Sequence, residues 1–351
     1  MKKIIFLIFI LLFTYSFVYA DDEMYIQGED EYNRNVNDII TGDFSLNPVS
    51  IINTIKNMLI DEITTNKTLI VNIMIIASVS GILNVIQTSL GNGGSSEAAF
   101  FTCFTLTALS VSQLLSSVIG YGADVIGHLT DFVTKICPVI TILLVSCGKV
   151  ASASSFYPVL SSAIYIVSFV IDKFIVPLIY LSAILGIVNN ISERVQLKKL
   201  NDLIKTFSKW ILTGILTIFT GINAIYGFSV PVLDAVSLKA LKFTVGSCVP
   251  VVGGLVSDTV ETVLSSTKLM KNAVGTAGII SLITICFIPI IKLAVIIFIL
   301  KLSAAAAEPL TDKRIANMIS DIVTPVTMVF SMVISTAMLF IISIAIIMGA
   351  T

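Results

Sequence analysis

The sequence predicts an all-α, polytopic membrane protein, and three observations carry that prediction. Of the 351 residues, 56% are hydrophobic and only 12% are charged, whereas water-soluble domains carry about 25% charged residues. Mean hydropathy is +1.00, more apolar surface than a soluble fold of this length covers. The apolar stretches are continuous instead of alternating, which points to helices and away from a β-barrel. The net charge of −1 offers no global attraction for nucleic acid.

At the N-terminus, Lys2 and Lys3 precede an uncharged apolar run from Ile4 to Phe17, and Val18-Tyr19-Ala20 supplies small residues at a cleavage position. Residues 1–20 are therefore expected to be a secretory signal peptide, which places the next residues outside the cytoplasmic membrane. Residues 21–67 form an acidic extracytoplasmic arm with ten acidic and three basic side chains. Residues 68–351 form the membrane domain. Its apolar segments fall at about 68–90, 98–120, 136–150, 153–171, 174–191, 210–230, 276–302 and 325–349. Since a spanning helix needs about 20 apolar residues, 136–150 is short and reads as half of a re-entrant hairpin with 153–171. The total is six to eight transmembrane helices. Asp172-Lys173, between two apolar runs, reads as a tight turn.

Counting spans from the exported arm puts the 192–209 loop, with Arg194, Lys198, Lys199, Lys205 and Lys209, in the cytoplasm. Lys313 and Arg314 fall on the same side, so the positive-inside rule agrees with the signal peptide. Two stretches in these loops read as interfacial helices: Leu197, Leu200, Leu203, Ile204 and Phe207, and then Ile315, Met318, Ile319 and Ile322. The five cysteines, Cys103, Cys137, Cys147, Cys248 and Cys286, sit in apolar surroundings as packing residues.

The two halves suggest a parallel internal repeat. Phe174 to Ile184 can be laid over Phe287 to Ile296, with Pro177 answering Pro289, and Cys137-Pro138 is answered by Cys248-Val249-Pro250. Pro breaks ordinary helices, and broken helices persist where protein or a cavity satisfies the freed backbone groups. Pro177 and Pro289 are thus candidates for a pathway lining. So is Lys292, because a mid-membrane Lys costs roughly 2.5–3.5 kcal/mol and must face a partner or water.

The stretch 231–275 is expected to face outward. Within it, 245–257 is too short to span, and Gly246, Pro250, Gly253 and Gly254 interrupt regular helix and permit close backbone approach. Together with Cys248 and Asp258 these residues form either a re-entrant gate or a hairpin that fills the bundle. The sequence holds no carboxylate dyad, Ser-His pair, phosphate loop or metal-ligand cluster, which points away from an enzyme, a cofactor or a metal.

Val245-Gly-Ser-Cys-Val-Pro-Val-Val-Gly-Gly-Leu-Val-Ser-Asp258, followed by Leu269-Met-Lys-Asn-Ala-Val-Gly275, resembles the stage III sporulation protein AE family of endospore-forming Firmicutes. With the signal peptide, acidic arm and span pattern, the resemblance covers essentially the full length. It implies a membrane subunit of the channel complex between mother cell and forespore, in the mother-cell membrane around the forespore, required for late forespore gene expression. The implied partners are other stage III sporulation proteins, including ring-forming subunits and a cytoplasmic ATPase. It carries over no catalytic residues. Two other functions fit the residues alone. The Pro-marked spans and Lys292 fit an autonomous secondary transporter or permease, and a scaffold without a conduit would need neither.

Overall fold

The computed structural model describes residues 94–191, 197–248, 253–309 and 311–349. The signal peptide, the arm, the 68–90 segment and Pro250 lie outside this set. Among the described residues every regular element is helical: α1 (Gly94–Ser146), α2 (Val150–Val170), a π-helical segment (Ile171–Ile175), α3 (Val176–Asn189), α4 (Lys198–Cys248), α5 (Gly253–Ala307) and α6 (Lys313–Gly349). Among the described residues, five stretches are long and apolar enough to cross a membrane.

These rods are longer than the predicted spans. The segments 98–120 and 136–150 are both parts of α1, which continues through Pro138. The segments 153–171 and 174–191 belong to one rod of 40 residues, Val150–Asn189, about 60 Å at roughly 1.5 Å per residue. That is twice a hydrocarbon core of about 30 Å. Asp172-Lys173 makes no turn. The two residues sit in the π-helical segment, exposed, with their charges paired at 2.7 Å. A π turn keeps the backbone hydrogen-bonded while absorbing an extra residue, so a local charge pair does not end the rod.

The reversal comes instead at Cys147–Lys149. Gly148 takes φ 76°, its N–H donates to Val145 O at 2.8 Å, and the Lys149 N–H donates to Leu144 O at 3.0 Å. This is a Schellman closure, and glycine adopts its left-handed residue without penalty.

The two predicted interfacial helices are not separate elements; each is the beginning of a long rod. Ile315, Met318 and Ile319 are each 0% exposed and form the first turns of α6, in the core. In α4, Ile204 is buried while Leu200, Leu203 and Phe207 point outward. The helical periodicity holds in both places, but the same apolar stripe serves a headgroup or a neighbouring helix.

α6 is the hub and packs against α1, α3, α4 and α5. Its Val329, Met332, Val333, Phe340 and Ile344 are fully buried. Polar pairs stitch the rods together. Asn223 Nδ2 donates to Ser343 Oγ at 3.0 Å, Ser182 Oγ donates to Asn201 Oδ1 at 2.7 Å, and Asn190 Nδ2 donates to Asp321 Oδ2 at 2.8 Å. Each contributes about 0.6 kcal/mol on average between membrane helices, enough to set register. Cys103, Cys137, Cys147 and Cys286 are buried free thiols, as packing residues should be.

Candidate functional site at the hairpin end

A cluster of charged groups from several helices lies around the α1–α2 turn. α2 begins at Val150 without a side-chain cap of its own, which would leave its first N–H groups without partners. Asp234, far along α4, supplies the cap. Its carboxylate accepts the Ala151 N–H at 2.9 Å and the Ser152 N–H at 3.1 Å, and it also accepts the Ser152 hydroxyl. A negative charge at a helix N-terminus also complements the macrodipole.

At the same end the opposite rule is satisfied. Lys271 Nζ donates to Met348 O at 3.0 Å, a cation on the last carbonyls of α6. Gly275, one turn further into α5, lies so close to Met348 that a Cβ would overlap the thioether. Asp234, Lys271 and Lys149 are 2%, 1% and 5% exposed, so the cluster is a buried charge group that ties four helices together at one end.

Its electrostatics are lopsided. Burial, helped by the positive charges of Lys271 and Lys268, brings the Lys149 ammonium down to about 8, against the opposing pull of Asp234 and Cys147. Burial pushes the Cys147 thiol up, although Lys271, Lys149 and Lys268 oppose this, so it is not an activated nucleophile. The unfolded chain holds the Lys149 proton up to its ordinary 10.5. Between about 8 and 10.5 the unfolded state therefore binds more protons, and stability rises with pH across that window. The unfolding midpoint in detergent should climb from pH 8 to 10, and Lys149→Met should flatten the climb. An equally steep climb in that variant would contradict the assignment.

The residues singled out from sequence do not gather at one place. Pro177 stands exposed in the first turn of α3, whereas Pro289 is buried within α5, which passes through it without a break. The two prolines therefore have unlike surroundings. Lys292 is half-buried with its Nζ 4.5 Å from the centroid of the Tyr121 ring, a cation–π contact that meets its need for a partner. The backbone of Gly246 and Cys248 is helical at the end of α4, and that of Gly253, Gly254 and Asp258 at the start of α5. The region 231–275 is thus mostly the continuation of two long rods. Asp234, Lys149 and Gly122 escaped sequence reasoning. The available signal for Asp234 was its position as the carboxylate closing the charge-free run 210–233.

Chemically the cluster holds helix ends in place. Among the described residues no group of His, Cys, Asp and Glu is arranged to hold a metal ion.

Comparison with known proteins agrees with the motif at 245–275. Residues 31–351 match the family described as stage III sporulation protein AE. The stage III sporulation protein AE of Bacillus subtilis (strain 168) is 29% identical over 313 residues, which cover 89% of this chain and 78% of that protein. No solved structure matches. On a family match over nearly its whole length, the chain belongs to the stage III sporulation protein AE family.

Proposed function

We infer that the chain is a membrane subunit of the sporulation channel complex linking mother cell and forespore, required for late forespore development and gene expression. The observation that carries this reading is the family match across 31–351. The rods, long and apolar enough to cross a bilayer, support a place in the membrane. In this reading the protein sits in the mother-cell membrane around the forespore with its N-terminal arm extracytoplasmic. It works with ring-forming sporulation proteins and a cytoplasmic ATPase. Lys198, Lys199, Lys205 and Lys209 on α4 and Lys313 and Arg314 on α6 lie at the end opposite the α1–α2 turn, where the positive-inside rule puts the cytoplasm.

Deleting the gene should block sporulation after engulfment and leave vegetative growth untouched. In a Cys-free background, Lys199→Cys should resist a membrane-impermeant thiol reagent in intact cells, and Asp30→Cys should react. A growth defect in cells that never sporulate would favour an autonomous transporter, and the reverse labelling pattern would invert the orientation.

A further inference from the structure

The rods are far longer than a hydrocarbon core is thick, so part of each stands outside it, and contacts between rods show which part. Asp124 of α1 and Asp172 lie equally far along the chain from the Gly148 turn, which brings them to one level. Lys292 of α5 lies over Tyr121 of α1, one turn from Asp124. Counted along the antiparallel pair from the Ser182–Asn201 hydrogen bond, Lys209 and Trp210 of α4 come level with Lys173 and Phe174. One level of the bundle thus carries Asp124, Asp172, Lys173, Lys209, Trp210 and Lys292, and Trp210 is 72% exposed. Charges beside an outward tryptophan mark a membrane–water boundary.

From this level to the hairpin end, 150–171 in α2, 210–233 in α4 and 272–291 in α5 carry no charge. Runs of this length rise about 30–36 Å, close to one hydrocarbon core. Gly122 abuts Val329 and Met332, which fixes the same level on α6, and there the outward face changes character. Lys313, Asn317, Ser320, Thr327 and Ser331 are exposed up to this level, and Met338, Ile342 and Ala345 beyond it. Within this slab the exposed charges are Asp131 and Lys135 of α1, opposite in sign and one turn apart. A core placed over the other half of the rods would instead take in Lys198, Lys199, Asp202, Lys209 and Lys301, all exposed, at roughly 2.5–3.5 kcal/mol each.

The first turns of α4 therefore stand beyond the bilayer. Leu203 and Leu200 lie about 10 and 15 Å past Trp210 along the helix, whereas the headgroups extend only about 5–8 Å from the core. Leu200, Leu203 and Phe207, at helical spacing, are 48%, 63% and 51% exposed, so lipid does not reach the two leucines. Asp202 meets Lys205 at 3.9 Å, while Lys198, Lys199 and Lys209 on the same outward surface leave an excess of positive charge.

We propose that this face of α4 is a docking surface, in the cytoplasm, for an acidic amphipathic helix of another protein. Apolar residues of such a helix would cover the leucine stripe, and its Asp and Glu side chains would meet the lysines at the flank, as charged positions do beside a coiled-coil seam. A second copy of the chain fits poorly, because it would bring the same lysines to face their own kind.

The proposal rests on the channel-subunit reading for the side on which this end stands, and the test separates the two. In a Cys-free chain expressed alone in vegetative cells, Leu203→Cys and Asn317→Cys should react with a charged thiol reagent in inside-out vesicles, and Ile218→Cys and Ile342→Cys should not. Unreactive Leu203→Cys in vesicles of both orientations would put the face in lipid and overturn the docking surface. Reaction in right-side-out vesicles alone would overturn the orientation, and the cytoplasmic partner with it. In sporulating cells, a photo-crosslinking side chain at position 203 should join the chain to a protein through an Asp- and Glu-rich peptide identified by mass spectrometry. Lys199→Gln with Lys209→Gln should cut the yield per membrane-inserted chain about fivefold. No adduct, an adduct to lipid alone, to a second copy or to a peptide without acidic residues, or a yield that the two substitutions leave unchanged, would overturn the proposal. Sporulation of the deletion strain scores the channel reading independently.

Discussion

Asp234→Ala is expected to cost about 3–5 kcal/mol of stability, the usual loss when one member of a buried charge group is removed. Two effects are superposed. The first is the loss of the α2 cap, since the Ala151 and Ser152 N–H groups lose their acceptor, and a lost cap costs about 1 kcal/mol. The second is larger: the buried Lys149 ammonium is left beside Lys271 and Lys268 without the negative charge that offsets them. The balance between these effects is measurable. In a Lys149→Met background, Asp234→Ala should cost about 1–2 kcal/mol, little more than the cap. Asp234→Asn keeps an acceptor oxygen and should fall between the extremes. Chemical denaturation of the detergent-solubilised protein reads every one of these variants. Equal costs of Asp234→Ala in both backgrounds would show that the charge contribution is absent.

Gly122→Leu should also be severely disruptive, because α1 and α6 touch through this position. Even an alanine methyl would overlap Val329 Cγ1, and overpacking of a filled core costs about 1–3 kcal/mol, occasionally more. Gly122→Ala should therefore lower stability by about 1–3 kcal/mol, and Val329→Ala in the same chain should restore most of it by vacating the space. Gly221→Ala is the control: nothing lies within 4 Å of its Cβ, so it should be neutral or stabilise α4 by up to about 1 kcal/mol through helix propensity. The measurement pairs unfolding midpoint with membrane abundance. Failure of Val329→Ala to rescue would mean that α1 and α6 do not meet at this contact.

The helical membrane class and the family were legible in the residues. Hydropathy over twenty residues is a property of composition, and the 245–275 motif is a contiguous string, so neither needs knowledge of distant partners. The ends of the rods were harder to locate. Asp124 to Lys135 and Asp172-Lys173 read as loops because charges normally end an apolar span. The helices nevertheless continue, through a π turn in one case and with the charges on an outward face in the other.

By itself, then, the sequence determined that this is an all-helical membrane protein of a sporulation family, with basic residues gathered between its later apolar segments. Tertiary structure alone decided which helix ends meet, and therefore which polar groups matter. Asp234 becomes a cap only because α4 returns past the start of α2, and Lys271 closes α6 only because α5 runs beside it. Gly122 has no room for a Cβ only because Val329 lies against it. The physical reason is that helix formation is satisfied by backbone bonds four residues apart, whereas burial of a charge or exclusion of a methyl group is set by residues that chain order keeps far away.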